Sequence, residues 1–172
     1  MRRFFSFVRA VVSIGAVALS LAGSQFVSAA DAAGASAVPA VDSGILKVKS
    51  VYSMAETVDR LKKDVATKGI KFFFEIDQAK LAADAGIQIR PSVLLNFGNP
   101  PLGTLFIRAN PLAGLDWPVR VLVYQDEKGD VWAAFTDFAY IARRHAITGK
   151  DLESFKTASG VIESITSSVS KK

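Results

Sequence analysis

The sequence predicts a single α+β domain, a mostly antiparallel sheet covered by helices on one face. Three observations carry that expectation. From residue 45 onward, segments with strand character alternate with segments whose apolar residues recur at helical spacing. Late in the chain, strand segments at 119–124 and 131–135 are joined by Asp126-Glu127-Lys128-Gly129-Asp130, a loop of hairpin length that argues against a purely parallel sheet. The length of 172 residues suits one core, since two domains would each sit near the lower limit of self-sufficiency.

The elements follow in order. Residues 31–43 are rich in Ala, Ser, Gly and Pro without periodicity and read as a flexible linker, leaving 44–170 as the folded body. Residues 45–52 alternate apolar and polar side chains, the pattern of a half-buried strand. Ser53-Met54-Ala55-Glu56 has the spacing of a capping box, in which the Ser53 hydroxyl accepts from a free amide and Glu56 reaches back. In the helix that follows, Val58, Leu61 and Val65 share one face, and Gly69 stands where a C-terminal cap wants positive φ. Residues 70–76, with Phe72-Phe73-Phe74, read as a strand buried on both faces. Asp77 caps a short helix over 78–85, which Gly86 ends, and Pro91 leads into a strand over 92–97. Asn99-Pro100 is a helix start, with Asn as the cap and Pro in the first turn. Leu102, Leu105, Phe106 and Ala109 give that helix its apolar face, and Asn110-Pro111 stops it. An irregular segment then leads to the hairpin, whose Gly129 is free to take positive φ. Asp137 caps a helix over 138–144, and Asp151 caps a last helix bearing Leu152, Phe155, Ile162, Ile165 and Val169.

The charge balance points to location rather than to a partner. The whole chain carries 21 Lys and Arg against 16 Asp and Glu, with a pI near 9.6. Residues 1–30 hold Arg2, Arg3 and Arg9 and no acid, followed by an uncharged apolar stretch over 10–22 and the small-residue run Val27-Ser28-Ala29-Ala30. That is the tripartite pattern of a secretory signal peptide, with cleavage after Ala29 or Ala30. Its scattered Ser and Gly make it a poor permanent span, so no stable membrane span is expected after cleavage. Without it, 18 basic residues face 16 acidic ones, and the near-neutral body lacks the basic stripe of a nucleic-acid binder. The expected location is exported, periplasmic or secreted.

Chemistry-bearing candidates are few. The absence of Cys excludes a disulfide framework, a thiolate zinc site, thiol redox chemistry and a cysteine nucleophile. A lone His argues against most transition-metal sites, and no cofactor motif is present, so neither a metal nor a cofactor is expected. That residue, His145, follows Arg143-Arg144 at the end of a helix, where a positive group faces the last carbonyls. It becomes catalytic only with a carboxylate such as Asp116 or Asp137 within reach. Gly98-Asn99-Pro100-Pro101-Leu102-Gly103-Thr104 is the most unusual segment, with amides at a helix start able to hold an anion, though without a P-loop ending. Trp117-Pro118 and Trp132 suit core edges, and Asp77, Asp116, Asp126 and Asp137 stand at element ends, where turns and caps need acceptors.

A set of ordered motifs resembles a known bacterial family. They are Tyr52-Ser53 with Glu56-Thr57-Val58 and Leu61, then Gly69-Ile70, then Ile76-Asp77 with Ala82 and Ala85-Gly86. Phe97-Gly98-Asn99-Pro100 with Gly103-Thr104 follows, then Leu115 to Val123, then Asp137 with Ile141 to His145. Over about 55–147 the chain resembles the family called domain of unknown function 302. The resemblance implies a compact α+β domain similar to the TATA-binding-protein-like fold, often with two copies associating, and no established activity. One departure is Gln78, where many members carry His, so a metal or proton-transfer role at that position is not expected here.

Two functions follow as expectations. The first is an exported, non-catalytic module for a small anionic ligand or a protein partner, using Gly98, Asn99, Thr104, Arg108 and Arg120. The alternative is a hydrolase-type or transferase-type enzyme using His145 with Asp116 or Asp137.

Overall fold

The computed structural model describes residues 42–171; the expected signal peptide and nearly all of the linker lie outside the described residues. Five strands form one antiparallel sheet in the order β1-β5-β4-β3-β2. They are β1 (Ile45–Lys49), β2 (Lys71–Asp77), β3 (Ser92–Gly98), β4 (Val119–Gln125) and β5 (Val131–Thr136). The first strand pairs with the last one, Ile45 opposite Thr136, and forms one edge of the sheet. The helices are α1 (Met54–Thr67), α2 (Gln78–Asp84), α3 (Pro100–Ala109), α4 (Phe138–Arg144) and α5 (Leu152–Thr166).

Period-two alternation decides which sheet face is covered. In β4, Val121 and Val123 are fully buried, whereas Arg120 is exposed and Leu122 and Tyr124 are half-buried. The buried set meets Leu61 and Val65 of α1, Phe106 of α3, Phe138 of α4 and Phe155 of α5 in a single core. Phe106 is the hinge of that layer, stacked on Phe155 at 4.2 Å between ring centres and tilted against Phe138 at 5.8 Å. Helices therefore cover one face of an antiparallel sheet, as the alternation predicts.

Local signals hold at most element ends. Ser53 Oγ accepts from the Glu56 amide, Asp77 from Lys80, Asn99 from Leu102 and Asp137 from Ala139, each in extended cap geometry. Gly69 and Gly129 take φ of 64° and 84°.

Four expectations need correction. Glu56 does not close the capping box; its carboxylate takes Arg60 instead, at 3.1 and 3.0 Å, one helical turn on. Phe74 is half exposed, because helices cover only one face of the sheet and the register of β2 slips between Phe72 and Phe74, leaving only Phe72 packed on the core. The segment before the hairpin is not irregular: Pro111–Asp116 forms a 3-10 helix capped by Asn110. Asp151 does not cap α5, since its backbone (φ −72°, ψ −19°) is already helical within a 3-10 turn, which turns the carboxylate away from the first amides.

Candidate functional site

The 3-10 helix and α4 bring one polar cluster together. Asp116 ends the 3-10 helix and His145 is the residue after α4, and their side chains meet at 2.6 Å between Oδ2 and Nε2. Both are buried, with side chains 6% and 5% exposed. The second carboxylate oxygen faces two half-exposed arginines, Arg144 Nη1 at 3.3 Å and Arg120 Nη2 at 3.7 Å. Asn110 adds a clamp at the other end of the same turn, donating to the His145 carbonyl at 3.0 Å. A buried carboxylate needs such partners, because its desolvation is otherwise uncompensated. His145 thus faces Asp116 rather than the last helix carbonyls, which the local sequence favours. Asp137 is held apart from it by capping α4 through the Ala139 amide.

The glycine-rich segment does different work. Asn99 Oδ1 caps α3, and the Thr104 hydroxyl bonds the Pro100 carbonyl. The glycines answer to Trp117. A Cβ on Gly103 would lie 2.0 Å from the indole Nε1, and one on Gly98 would lie 3.0 Å from it. A side chain at Gly103 would displace the indole and one at Gly98 would press on it, while the ring also packs against the core and meets Phe73 edge-on at 5.8 Å. Gly98, Asn99, Leu102, Gly103 and Trp117 border an apolar cavity of about 30 Å³, completed by the α5 residues Val161 and Ile162. Beside it lies a groove of about 380 Å³ that shares Ile70, Asn99, Leu102 and Val161 with it and is lined by Lys68 as well. Lys68 Nζ is only loosely engaged, 4.0 Å from Asp64.

The expected residues therefore divide between two places. Asp116, Arg120 and His145 come together; Gly98 and Asn99 border the crevice at the start of α3; Thr104 is exposed on α3 and Arg108 sits exposed in its last turn. Sequence reasoning missed Arg144, Lys68 and the role of Trp117. The signal for Trp117 was present in the five-residue spacing of Gly98 and Gly103, which places two bare backbones at one strand-to-helix corner.

Two further polar contacts are local. Gln78 Oε1 accepts from the Ser92 hydroxyl at 2.7 Å, tying α2 to β3. In the hairpin, Asp126 accepts from the Trp132 indole at 2.8 Å and from the Lys128 and Asp130 amides at 2.9 Å. The Trp132 bond foremost, with those amides, holds the Asp126 carboxyl below the ordinary carboxylate range.

Comparison with known proteins places these features in context. Residues 46–165 match the family model described as domain of unknown function DUF302. A crystal structure of an uncharacterized conserved DUF302 protein from Bacillus stearothermophilus shares the fold, with a TM-score of 0.67 and 17% identity over 74% of this chain and 98% of that one. Two curated relatives are fluoride-specific ion channels, FluC 1 of Brucella suis biovar 1 and FluC 2 of Brucella melitensis biotype 1, each 36% identical over 107 residues, or 62% of this chain. The chain spans only 42% and 40% of their lengths. Among the described residues no helix is long and apolar enough to cross a membrane.

Proposed function

The chain belongs to the family described as domain of unknown function DUF302, and from that premise we propose that it is an exported, non-catalytic module that binds a small amphipathic carboxylate in the crevice between α3 and α5. The observation that carries this reading is the apolar cavity adjoining, through Ile70, Asn99, Leu102 and Val161, a groove lined by Lys68. A cavity of 30 Å³ has room for about two water-sized spheres, and its apolar lining disfavours water. It suits the end of an alkyl chain, each buried methylene contributing about 0.8 kcal/mol. The groove accommodates the remainder, with the carboxylate toward the Lys68 ammonium. A binding role of this kind needs no acid/base pair and matches the expectation of a small anionic ligand at the Gly98–Asn99 corner.

Thermal-shift titration of the full chain with straight-chain carboxylates from butanoate to decanoate tests the reading. Stabilisation should grow with chain length, fall with Lys68→Gln and disappear with Val161→Phe, which places a bulky ring in the wall common to both spaces. Alcohols of equal length should act more weakly. Fluoride, the ion in the name of the Brucella relatives, serves as a comparison ligand. Equal responses from wild type and Val161→Phe would sink the proposal. The export part rests on residues 1–30; N-terminal sequencing of chain recovered outside the cytoplasm should begin at Ala30 or Asp31, and a retained Met1 contradicts it.

One observation favours a second reading, an enzyme of hydrolase or transferase type. The Asp116–His145 contact of 2.6 Å is the geometry by which a carboxylate orients an imidazole for proton transfer. On that reading, ester or acyl-transfer activity vanishes in His145→Ala and survives Lys68→Gln.

A further inference from the structure

A separate feature is the charge imbalance around Asp116. Arg120 and Arg144 approach the same carboxylate oxygen, so two guanidinium groups converge on one atom. That oxygen's neighbour is already occupied by His145 at 2.6 Å. One buried carboxylate thus answers two permanent positive charges, which leaves a surplus of at least one positive charge. The other charged groups nearby do not cancel it. Arg143 is paired with Asp42 at 2.6 Å, and the Asp137 carboxylate is directed to the Ala139 amide.

The two arginines are also under-used as donors. Arg144 reaches Asp116 through one nitrogen at 3.3 Å; Arg120 stands at 3.7 Å and makes a 3.4 Å bond to the Leu115 carbonyl. Neither forms the paired, parallel contact that a guanidinium makes with a well-matched carboxylate. Each side chain is 50% exposed, and Arg120 borders a shallow pocket together with Asp116, Thr136 and Phe138. Stabilising Asp116 accounts for His145 and Arg144. It does not account for a second guanidinium beside the first, where like charges repel.

We propose that Arg120 and Arg144 form a binding site for an oxyanion, a carboxylate or a phosphate, whose two oxygens bridge the guanidinium groups on their solvent side. Asp116 then acts as the buried counter-charge that keeps both forks in place, and the Thr136 hydroxyl stands at the edge of the pocket as a further donor. Val119 and Phe138 border both this pocket and the α3–α5 cavity, but Arg120, Arg144 and Asp116 do not line that cavity, so variants of the two arginines test this site separately.

Titration of the full chain with inorganic phosphate and, separately, acetate tests this at constant ionic strength in chloride, reading the side-chain Nε–Hε resonances of both arginines. The expected result is saturable shifts of Arg120 and Arg144 together, with a Kd of about 1 mM or below for at least one anion. A response to phosphate alone identifies a phosphoryl ligand, and to acetate alone a carboxylate. Arg120→Gln should weaken the binding about tenfold or more, as loss of a charge-assisted hydrogen bond does. The wild-type titration needs no variant, so a folding defect cannot mask it. Shifts that stay flat or fail to saturate with both anions overturn the proposal, as does unchanged affinity in Arg120→Gln.

Discussion

Gly103→Ala should destabilise this protein, although helix propensity alone says the opposite. Gly103 lies within α3, where Ala is favoured over Gly by about 1 kcal/mol. The new methyl would meet Trp117 at 2.0, 2.4 and 2.6 Å from Nε1, Cε2 and Cδ1. No ring rotation in place relieves three contacts of that length, so the indole must leave its seat between Gly98, Gly103 and Phe73. Removing a fully buried aromatic side chain costs about 3–5 kcal/mol, and a half-buried indole is worth roughly half of that, about 2 kcal/mol. After the propensity gain, the net loss is about 1 kcal/mol, a fall in melting temperature of about 3–5 °C for a domain of this size. Circular-dichroism melts of four chains decide it: wild type, Gly103→Ala, Trp117→Ala and the double variant. With Trp117 removed, Gly103→Ala should become stabilising by about 1 kcal/mol, reversing sign. A rise in melting temperature on Gly103→Ala in the wild-type background refutes the reasoning, as does simple additivity.

Other perturbations report on the remaining contacts. Asp116→Ala leaves the buried His145 Nε2 without its acceptor and should cost about 1–3 kcal/mol, seen as a lower urea midpoint at unchanged slope. Asn99→Ala removes the α3 cap and should cost about 1 kcal/mol in the same assay. Asp126 has a folded pKa below its unfolded value, so its contribution is present above about pH 4 and is lost as pH falls through the folded pKa. Melting temperatures of wild type and Asp126→Asn should accordingly differ most at neutral pH and converge in acid; a constant gap across that range contradicts the assignment.

Local grammar made most of the fold legible. Ser53, Asp77, Asn99 and Asp137 announce their helices because a cap needs only its own side chain and an amide two or three residues on. Asp151 has the same side chain and fails as a cap, because a preceding 3-10 turn sets its backbone, a tertiary choice no local pattern records. Phe72-Phe73-Phe74 suggested two buried faces, but helices cover only one face of the sheet, and a register slip after Phe72 puts Phe74 on the other, opposite Asn96. The site was legible in residue types and not in their grouping. Asp116 and His145 are 29 positions apart and meet only because the fold brings the end of the 3-10 helix to the end of α4. Trp117 and Gly103 looked like separate motifs; one ring's thickness explains both.

The central claim, that the crevice at the start of α3 takes the apolar end of a carboxylate, is tested most directly through the indole in its wall. The chain has 2 tryptophans, so Trp132→Phe leaves Trp117 as the sole tryptophan reporter. Titrating that chain with octanoate should change the Trp117 emission saturably, and Val161→Phe in the same background should abolish the change. An emission that does not respond to octanoate, or responds equally in the Val161→Phe chain, contradicts the account.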